Sequence, residues 1–64
     1  MTRYRLNLRG SVLHFYPRTK RYGWSAWDRY SGDGVPVSWV YLEEAQGFID
    51  RNGQFARGAV IQTL

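Results

Sequence analysis

The chain has 64 residues, 44% of them hydrophobic, and contains no cysteine. This length predicts one domain, residues 1–64, near the lower limit for folding without disulfides or metals. The lack of cysteine excludes a disulfide framework, a thiolate nucleophile and a cysteine-based zinc site. The longest nearly apolar run, residues 35–42, is too short to span a membrane, and no signal peptide opens the chain. We therefore expect a soluble, cytoplasmic protein.

The formal charge of +4 is distributed unevenly along the chain. Residues 1–30 carry seven basic residues and one acidic residue, a net +6, whereas residues 31–64 carry two basic and four acidic residues, a net −2. This asymmetry favours an anionic partner: nucleic acid, an acidic protein surface or, less readily, a membrane surface. Eight of the nine basic residues are arginine, which suits phosphates and guanine edges. A genome that favours arginine codons would leave the same bias.

The first half of the chain predicts three strands. Residues 2–9 alternate apolar and polar side chains, which is typical of a half-buried strand. Gly10 and Ser11 predict a tight turn, and residues 12–16 predict the returning strand of a hairpin. Pro17 should end that strand because proline has no amide donor. Residues 18–23 then predict a basic loop, and residues 24–30 predict an aromatic third strand.

The second half predicts a turn, a strand and a helix. The Ser-Gly-Asp-Gly stretch at residues 31–34 predicts a turn, and residues 35–41 predict a fourth strand. From Leu42 the apolar residues recur at helical spacing, with two glutamates in the first turn and Arg51 in the last. Asn52-Gly53 predicts a left-handed stop, and Ser38 would cap only a helix that began early. Residues 54–64 predict a short final strand or a packed tail.

These elements predict an α+β fold, an antiparallel β-meander of three to five strands with one helix packed on one face. The expected core is Tyr4, Leu6, Leu8, Leu13, Phe15, Val35, Val37, Trp39, Leu42, Ala45, Phe48 and Ile49. The expected solvent face of the sheet carries Arg3, Arg5, Asn7, Arg9, His14, Tyr16, Trp27 and Arg29. Lys20 and Arg21 are expected in a loop beside that face.

Catalytic and metal-binding patterns are missing from the sequence. His14 is the single histidine, and no spacing pairs it with a carboxylate that could orient it as a general base. Glu43 and Glu44 point about 100° apart on a helix and suit its first turn better than acid–base chemistry. No phosphate-binding loop and no metal-ligand set is present. We therefore predict that the protein is not an enzyme and holds no cofactor or metal.

Aromatic residues make up 17% of the chain, and most of them should fill the small core. Tyr16, Trp27 and Tyr22 are out of phase with the predicted core. Beside arginines, such side chains could stack on nucleic-acid bases or anchor a protein interface. The sequence leaves these two alternatives open.

The stretch Gly-Trp-x-Ala-Trp-Asp-Arg at residues 23–29 is followed by a glycine turn at 32–34, Val-x-Trp at 37–39 and Leu-Glu-Glu-Ala at 42–45. This arrangement resembles the sheet-plus-helix DNA-binding domains of the plant ethylene-response-factor type and the arm-binding domain of tyrosine integrases. The resemblance covers about half of the chain. In that family the sheet enters the major groove and presents arginine and tryptophan to DNA. It therefore implies contacts from Arg18, Lys20, Arg21, Trp27 and Arg29.

In size and lack of catalytic motifs, the chain is also similar to small accessory proteins of bacteriophages, including anti-CRISPR proteins. Such proteins occlude a surface of a host protein or nucleoprotein complex. Many are acidic mimics of DNA, which the net +6 of residues 1–30 argues against. This resemblance implies docking on an acidic protein face, or on RNA or DNA within a complex, in the cytoplasm of a bacterial host.

Together these observations predict a non-enzymatic binding module that contacts DNA or RNA, alone or within a nucleoprotein complex, through a basic and aromatic sheet face. The alternative is a phage-encoded inhibitor or an adaptor that binds an acidic host protein through the same face. Neither hypothesis involves a membrane or a small-molecule substrate. The predicted contact residues are Arg3, Arg5, Arg9, Tyr16, Arg18, Lys20, Arg21, Trp27 and Arg29.

Overall fold

The computed structural model describes residues 2–25 and 32–64. It contains two small three-stranded antiparallel sheets and one helix, which confirms the predicted α+β class. In chain order the elements are β1 (Tyr4–Leu8), β2 (Ser11–Val12), β3 (His14–Tyr16), β4 (Arg21–Gly23), β5 (Val35–Pro36), α1 (Leu42–Arg51) and β6 (Val60–Thr63). The sheets have the strand orders β2-β1-β6 and β4-β3-β5.

The first sheet is built on the β1–β2 hairpin, with β6 on the other side of β1. The loop of the hairpin is Arg9-Gly10, one residue earlier than predicted, because Leu8 pairs with Ser11. Both loop residues have positive φ, 53° and 88°, which is typical of the type I′ turn favoured in two-residue hairpins. The Asn7 side chain accepts a hydrogen bond from the Gly10 amide (3.0 Å) and so supports the turn.

Leu13 connects the two sheets. Its amide donates to the Leu6 carbonyl (3.1 Å), and its carbonyl accepts from the Val37 amide (3.0 Å). The strand predicted at residues 12–16 is therefore interrupted at Leu13, which is fully buried. This interruption breaks the alternation of side chains, so the predicted position of Tyr16 on the exposed face is wrong. The Tyr16 ring is only 7% exposed.

The second sheet pairs β3 with β4 on one side and with β5 on the other. β4 occupies residues that the sequence predicted as a basic loop, and Trp24 and Ser25 follow it in a bend rather than a strand. The remainder of the predicted third strand, residues 26–30, and Ser31 of the predicted turn lie outside the described residues. The predicted fourth strand is short, because after β5 only Trp39 forms a further bridge, to Tyr4.

Helix α1 has the predicted bounds, but its ends differ from expectation. Tyr41 is the N-cap residue without a side-chain hydrogen bond, and Ser38 does not cap the helix. The predicted left-handed stop is wrong, since Asn52 has φ −117°. Instead, the Asn52 backbone amide and side chain both donate to the Phe48 carbonyl, so the side chain adds a second bond to an acceptor of the last helical turn.

The core lies between α1 and the two sheets. Its buried members are Leu6, Leu13, Ala45, Phe48 and Ala56. Ala56 comes from the turns that follow the helix and is not among the core residues predicted from the sequence. Conversely, the predicted burial of Val35 and Leu42 is wrong, and both are exposed. Val35 lies in an edge strand, and Leu42 is the first helical residue, where little else of the chain packs.

Candidate nucleic-acid interface

Three arginines lie along β1 and its turn, and we call Arg3, Arg5 and Arg9 the β1 row. Alternation along a strand places odd-numbered residues opposite the face that buries Leu6. The Arg3 Nε donates to the Ser38 hydroxyl (2.9 Å), and the Arg5 Nε donates to the Gln62 side-chain carbonyl (2.9 Å). Two guanidinium groups of the row thus have an internal acceptor, one on β6 and one in the segment that follows β5.

Both of these acceptors are uncharged, so they do not neutralise the positive charge of the arginines. Within the described residues, neither Arg3 nor Arg5 forms an ion pair with a carboxylate, and each guanidinium makes its hydrogen bond through Nε. Their positive charges are therefore not neutralised by this part of the chain. The terminal nitrogens of both guanidinium groups make no hydrogen bond within the described residues and can serve as donors to an anion.

A second basic group lies at the turn between β3 and β4, and we call Arg18, Lys20 and Arg21 the β3–β4 tip. All three are exposed. Lys20 has φ 56°, and its amide donates to the Tyr16 carbonyl (2.7 Å), which closes the turn. Residues 17–20 thus form a turn that lifts a basic side chain away from the sheet.

The turns of both hairpins contain a non-glycine residue in the left-handed conformation. Arg9 and Lys20 are the non-glycine residues with positive φ in the described ranges 2–25 and 32–64. Such a conformation costs an ordinary L-residue about 1–2 kcal/mol, and glycine or asparagine would avoid most of it. At Arg9 this conformation is the one that a type I′ turn requires. At both positions the side chain is a cation.

The other predicted contact residues fall into two groups. Tyr16 is not available for stacking on a base, because its ring is buried and its hydroxyl donates to the Ser25 carbonyl (2.7 Å). Trp27 and Arg29 lie outside the described residues. His14 is half-buried with Nδ1 2.7 Å from the Val12 carbonyl, an arrangement that fits a structural role.

The described aromatic side chains mainly contact one another. Tyr22 is partly exposed, yet its ring packs on Phe15 and Phe48, with centroid distances of 5.1 and 5.0 Å. Trp24 stacks on Phe55 at 5.4 Å. These contacts explain most of the high aromatic content of the chain as core packing rather than as a stacking platform.

The described residues hold no metal-binding cluster and no membrane-spanning helix. Within residues 2–25 and 32–64, no three His, Cys, Asp or Glu side chains are grouped so that they could hold a metal ion. No helix in these ranges has the length and apolar character to cross a membrane. An open groove of about 430 Å³ lies beside α1, lined by Leu42, Glu43, Gln46, Gly47, Asp50 and Ile61.

Sequence reasoning missed the two side chains that hold the β1 row. Ser38 and Gln62 are separated from their arginines by 35 and 57 residues, so only strand register could have revealed these pairs. The polar residue Gln62 within the apolar tail was the one available signal. Comparisons with protein-family models, curated proteins and solved structures find no match. The resemblance to sheet-plus-helix DNA-binding domains accordingly stays a prediction.

Proposed function

We propose that the chain is a non-enzymatic binding protein that contacts the phosphate backbone of nucleic acid through the β1 row, with the β3–β4 tip as a second contact. The observation that carries this proposal is the pair of guanidinium groups, Arg3 and Arg5, oriented by neutral oxygens and left without a carboxylate partner among the described residues.

Geometry supports phosphate as the ligand of this row. Arg3 immediately precedes β1 and Arg5 lies within it, so along an extended chain their Cα atoms are about 7 Å apart. Their side chains project from the same face, where a charged polymer lying along β1 could meet both. Because Nε is already held, little side-chain entropy is lost when an anion binds. Contacts of this kind position a protein on nucleic acid without reading its sequence, so we expect weak sequence preference.

The proposal is tested by fluorescence anisotropy of labelled duplex DNA, single-stranded DNA and RNA over a range of salt concentrations. Arg3→Ala and Arg5→Ala should each weaken binding to every sequence. On duplex DNA each should lower the slope of log affinity against log salt by about 0.9, the value for one lost phosphate contact. Gln62→Ala should weaken binding with little change of slope, because it releases Arg5 without removing the charge.

Arg57→Ala is the matched control, because it removes an exposed arginine that lies outside both basic groups. It should change affinity and slope less than Arg3→Ala. Equal effects of the two variants would contradict the proposal, since binding would then depend only on net charge. No binding at low salt would also contradict it. Losses concentrated on one or two anchor residues, with mild salt dependence, would instead indicate the protein partner of the alternative hypothesis.

A further inference from the structure

The edge of β6 that faces away from β1 carries backbone amides and carbonyls that can be assigned to individual residues. The Leu64 amide donates to the Arg3 carbonyl (2.8 Å), so by antiparallel alternation Gln62 and Val60 also direct their backbone groups toward β1. Ile61 and Thr63 must then direct theirs outward. Within the described residues no other strand pairs with this edge, so two amides and two carbonyls are left on it.

The hydrogen bonds of β1 agree with this assignment. Tyr4 lies opposite Thr63, but its amide and carbonyl are both bonded to Trp39 (2.7 and 2.8 Å). Leu6 lies opposite Ile61, and its carbonyl accepts from Leu13. Neither residue uses its partner on β6, as expected if Ile61 and Thr63 face outward.

This edge carries no charge, proline or bulge that would block a further strand, although β6 has only four residues. Residues 59–64 contain no charged residue and no proline, and β6 pairs with β1 over four consecutive residues without a bulge. Edge strands of soluble proteins usually carry a lysine, a proline or a bulge that blocks a further strand. Val60 and Leu64, on the same face of β6, are 56% and 57% exposed. The edge is therefore both open and flanked by apolar side chains.

We propose that β6 pairs in antiparallel orientation with β6 of a second copy of this chain, with Gln62 on the twofold axis. In this register Ile61 and the partner's Thr63 exchange two hydrogen bonds, and Thr63 and the partner's Ile61 exchange two more. All four outward groups of each copy are then satisfied. The same register places each exposed Val60 opposite the partner's Leu64, where the two side chains cover one another.

Two copies of β6 are more complementary in this register than in the neighbouring symmetric register. With Ile61 on the axis, Thr63 would lie opposite the partner's Ala59, whose amide already donates to the carbonyl of Ala56 (3.0 Å). Val60 would then face the partner's Gln62 instead of an apolar residue. Self-complementarity in hydrogen bonds and in side chains is the property that a twofold interface requires, and it favours a second copy over an unrelated strand.

The dimer would join the two copies of the first sheet into one six-stranded sheet, β2-β1-β6-β6-β1-β2. Because Arg5 bonds to Gln62, the two Arg5 side chains would flank the axis on one face. The β1 rows of both copies would thereby share a single surface. Dimerisation itself does not depend on nucleic-acid binding, so the two proposals can fail separately.

Sedimentation equilibrium of the full chain without nucleic acid tests the register directly. The native protein should show a concentration-dependent dimer. The double variant Val60→Lys with Leu64→Lys sets like charges opposite one another twice, and its dimer should be weaker by about tenfold or more. Val60→Lys with Leu64→Glu sets opposite charges against one another, and its dimer should be markedly tighter than that of the double-lysine variant. Residues 60 and 64 are too far apart within one strand to compensate internally.

A disulfide test uses the absence of native cysteine. Gln62→Cys places two thiols across the axis in a pair without backbone hydrogen bonds, where Cα atoms are about 4.5 Å apart, and oxidation should give a covalent dimer. Thr63→Cys is the matched control, since its two copies would be more than about 8 Å apart and should not link. Circular dichroism verifies that each variant is folded.

Three results would overturn the proposal. The first is a native protein that stays monomeric at every concentration. The second is a dimer that responds equally to both charge variants, which would place the interface elsewhere. The third is equal cross-linking at positions 62 and 63, which would exclude the proposed register.

Discussion

Gly23 lies against the buried ring of Tyr16, and the replacement Gly23→Ala provides a sharp test of the packing between β3 and β4. A Cβ atom at this position would come within 2.7 Å of Cε2 and 2.8 Å of Cζ of Tyr16, and closer still to its hydroxyl oxygen. Ordinary van der Waals contacts of a Cβ begin at about 3.4 Å. The ring would therefore have to move by more than half an ångström.

The ring cannot move freely, because it is buried and its hydroxyl is bonded to the Ser25 carbonyl. Overpacking of a core typically costs about 1–3 kcal/mol, and disturbing a buried hydrogen bond costs about 1 kcal/mol more. Alanine regains about 0.5–1 kcal/mol in a strand relative to glycine. The expected net loss is about 1–3.5 kcal/mol. This is a large part of the ~3–10 kcal/mol typical of a domain of this size.

The loss can be measured by urea denaturation followed by tryptophan fluorescence. Gly53→Ala is the matched control, since a Cβ there meets nothing within 4 Å and the backbone is not left-handed. It should be neutral or stabilising by up to about 1 kcal/mol. In a double-mutant cycle, Tyr16→Leu should absorb at least about 1 kcal/mol of the Gly23→Ala penalty. A penalty below about 0.5 kcal/mol, or strict additivity of the two substitutions, would refute this account.

Two further predictions concern the turn of the first hairpin and the end of the helix. Arg9→Asn should stabilise the fold by about 0.5–1 kcal/mol in a denaturation experiment, because asparagine tolerates positive φ. In anisotropy measurements the same variant should lower the salt slope of DNA binding by about 0.9. A loss of stability would contradict the turn assignment. Asn52→Ala should destabilise by about 0.5–1.5 kcal/mol through loss of the 2.8 Å bond to the Phe48 carbonyl. Asn52→Asp also lacks the donor and should lose more, because its negative charge lies at the negative end of the helix dipole. An unchanged stability of both variants would exclude a role for this bond.

The elements that depend on short-range sequence patterns were predicted correctly from the sequence. The helix bounds followed from the change of period at Leu42 and from Asn52-Gly53, and the first strand followed from strict alternation. These patterns depend on neighbours within one or two turns of the chain, so they survive without knowledge of the tertiary fold. The stop at Asn52 was located correctly, although its conformation was not.

The errors came from places where a distant contact decides the structure. Leu13 divides its two hydrogen bonds between β1 and the segment before Trp39, and this reversed the expected exposure of Tyr16. No pattern within residues 12–16 shows that break. The arginines of the candidate interface were identified by charge and alternation alone. Their neutral acceptors, Ser38 and Gln62, could not be identified, since cross-strand register is set by the whole fold.

The ladder between β1 and β6 has a consequence for how the molecule folds. It joins residues more than fifty positions apart, such as Leu6 and Ile61, whereas the β1–β2 and β3–β4 hairpins join near neighbours. Closing so long a loop costs more chain entropy than closing a hairpin, and such non-local pairing slows folding. The hairpins should form early and β6 should dock last. Until then the opposite side of β1 is itself an open edge, and a second chain could occupy it in place of the protein's own strand.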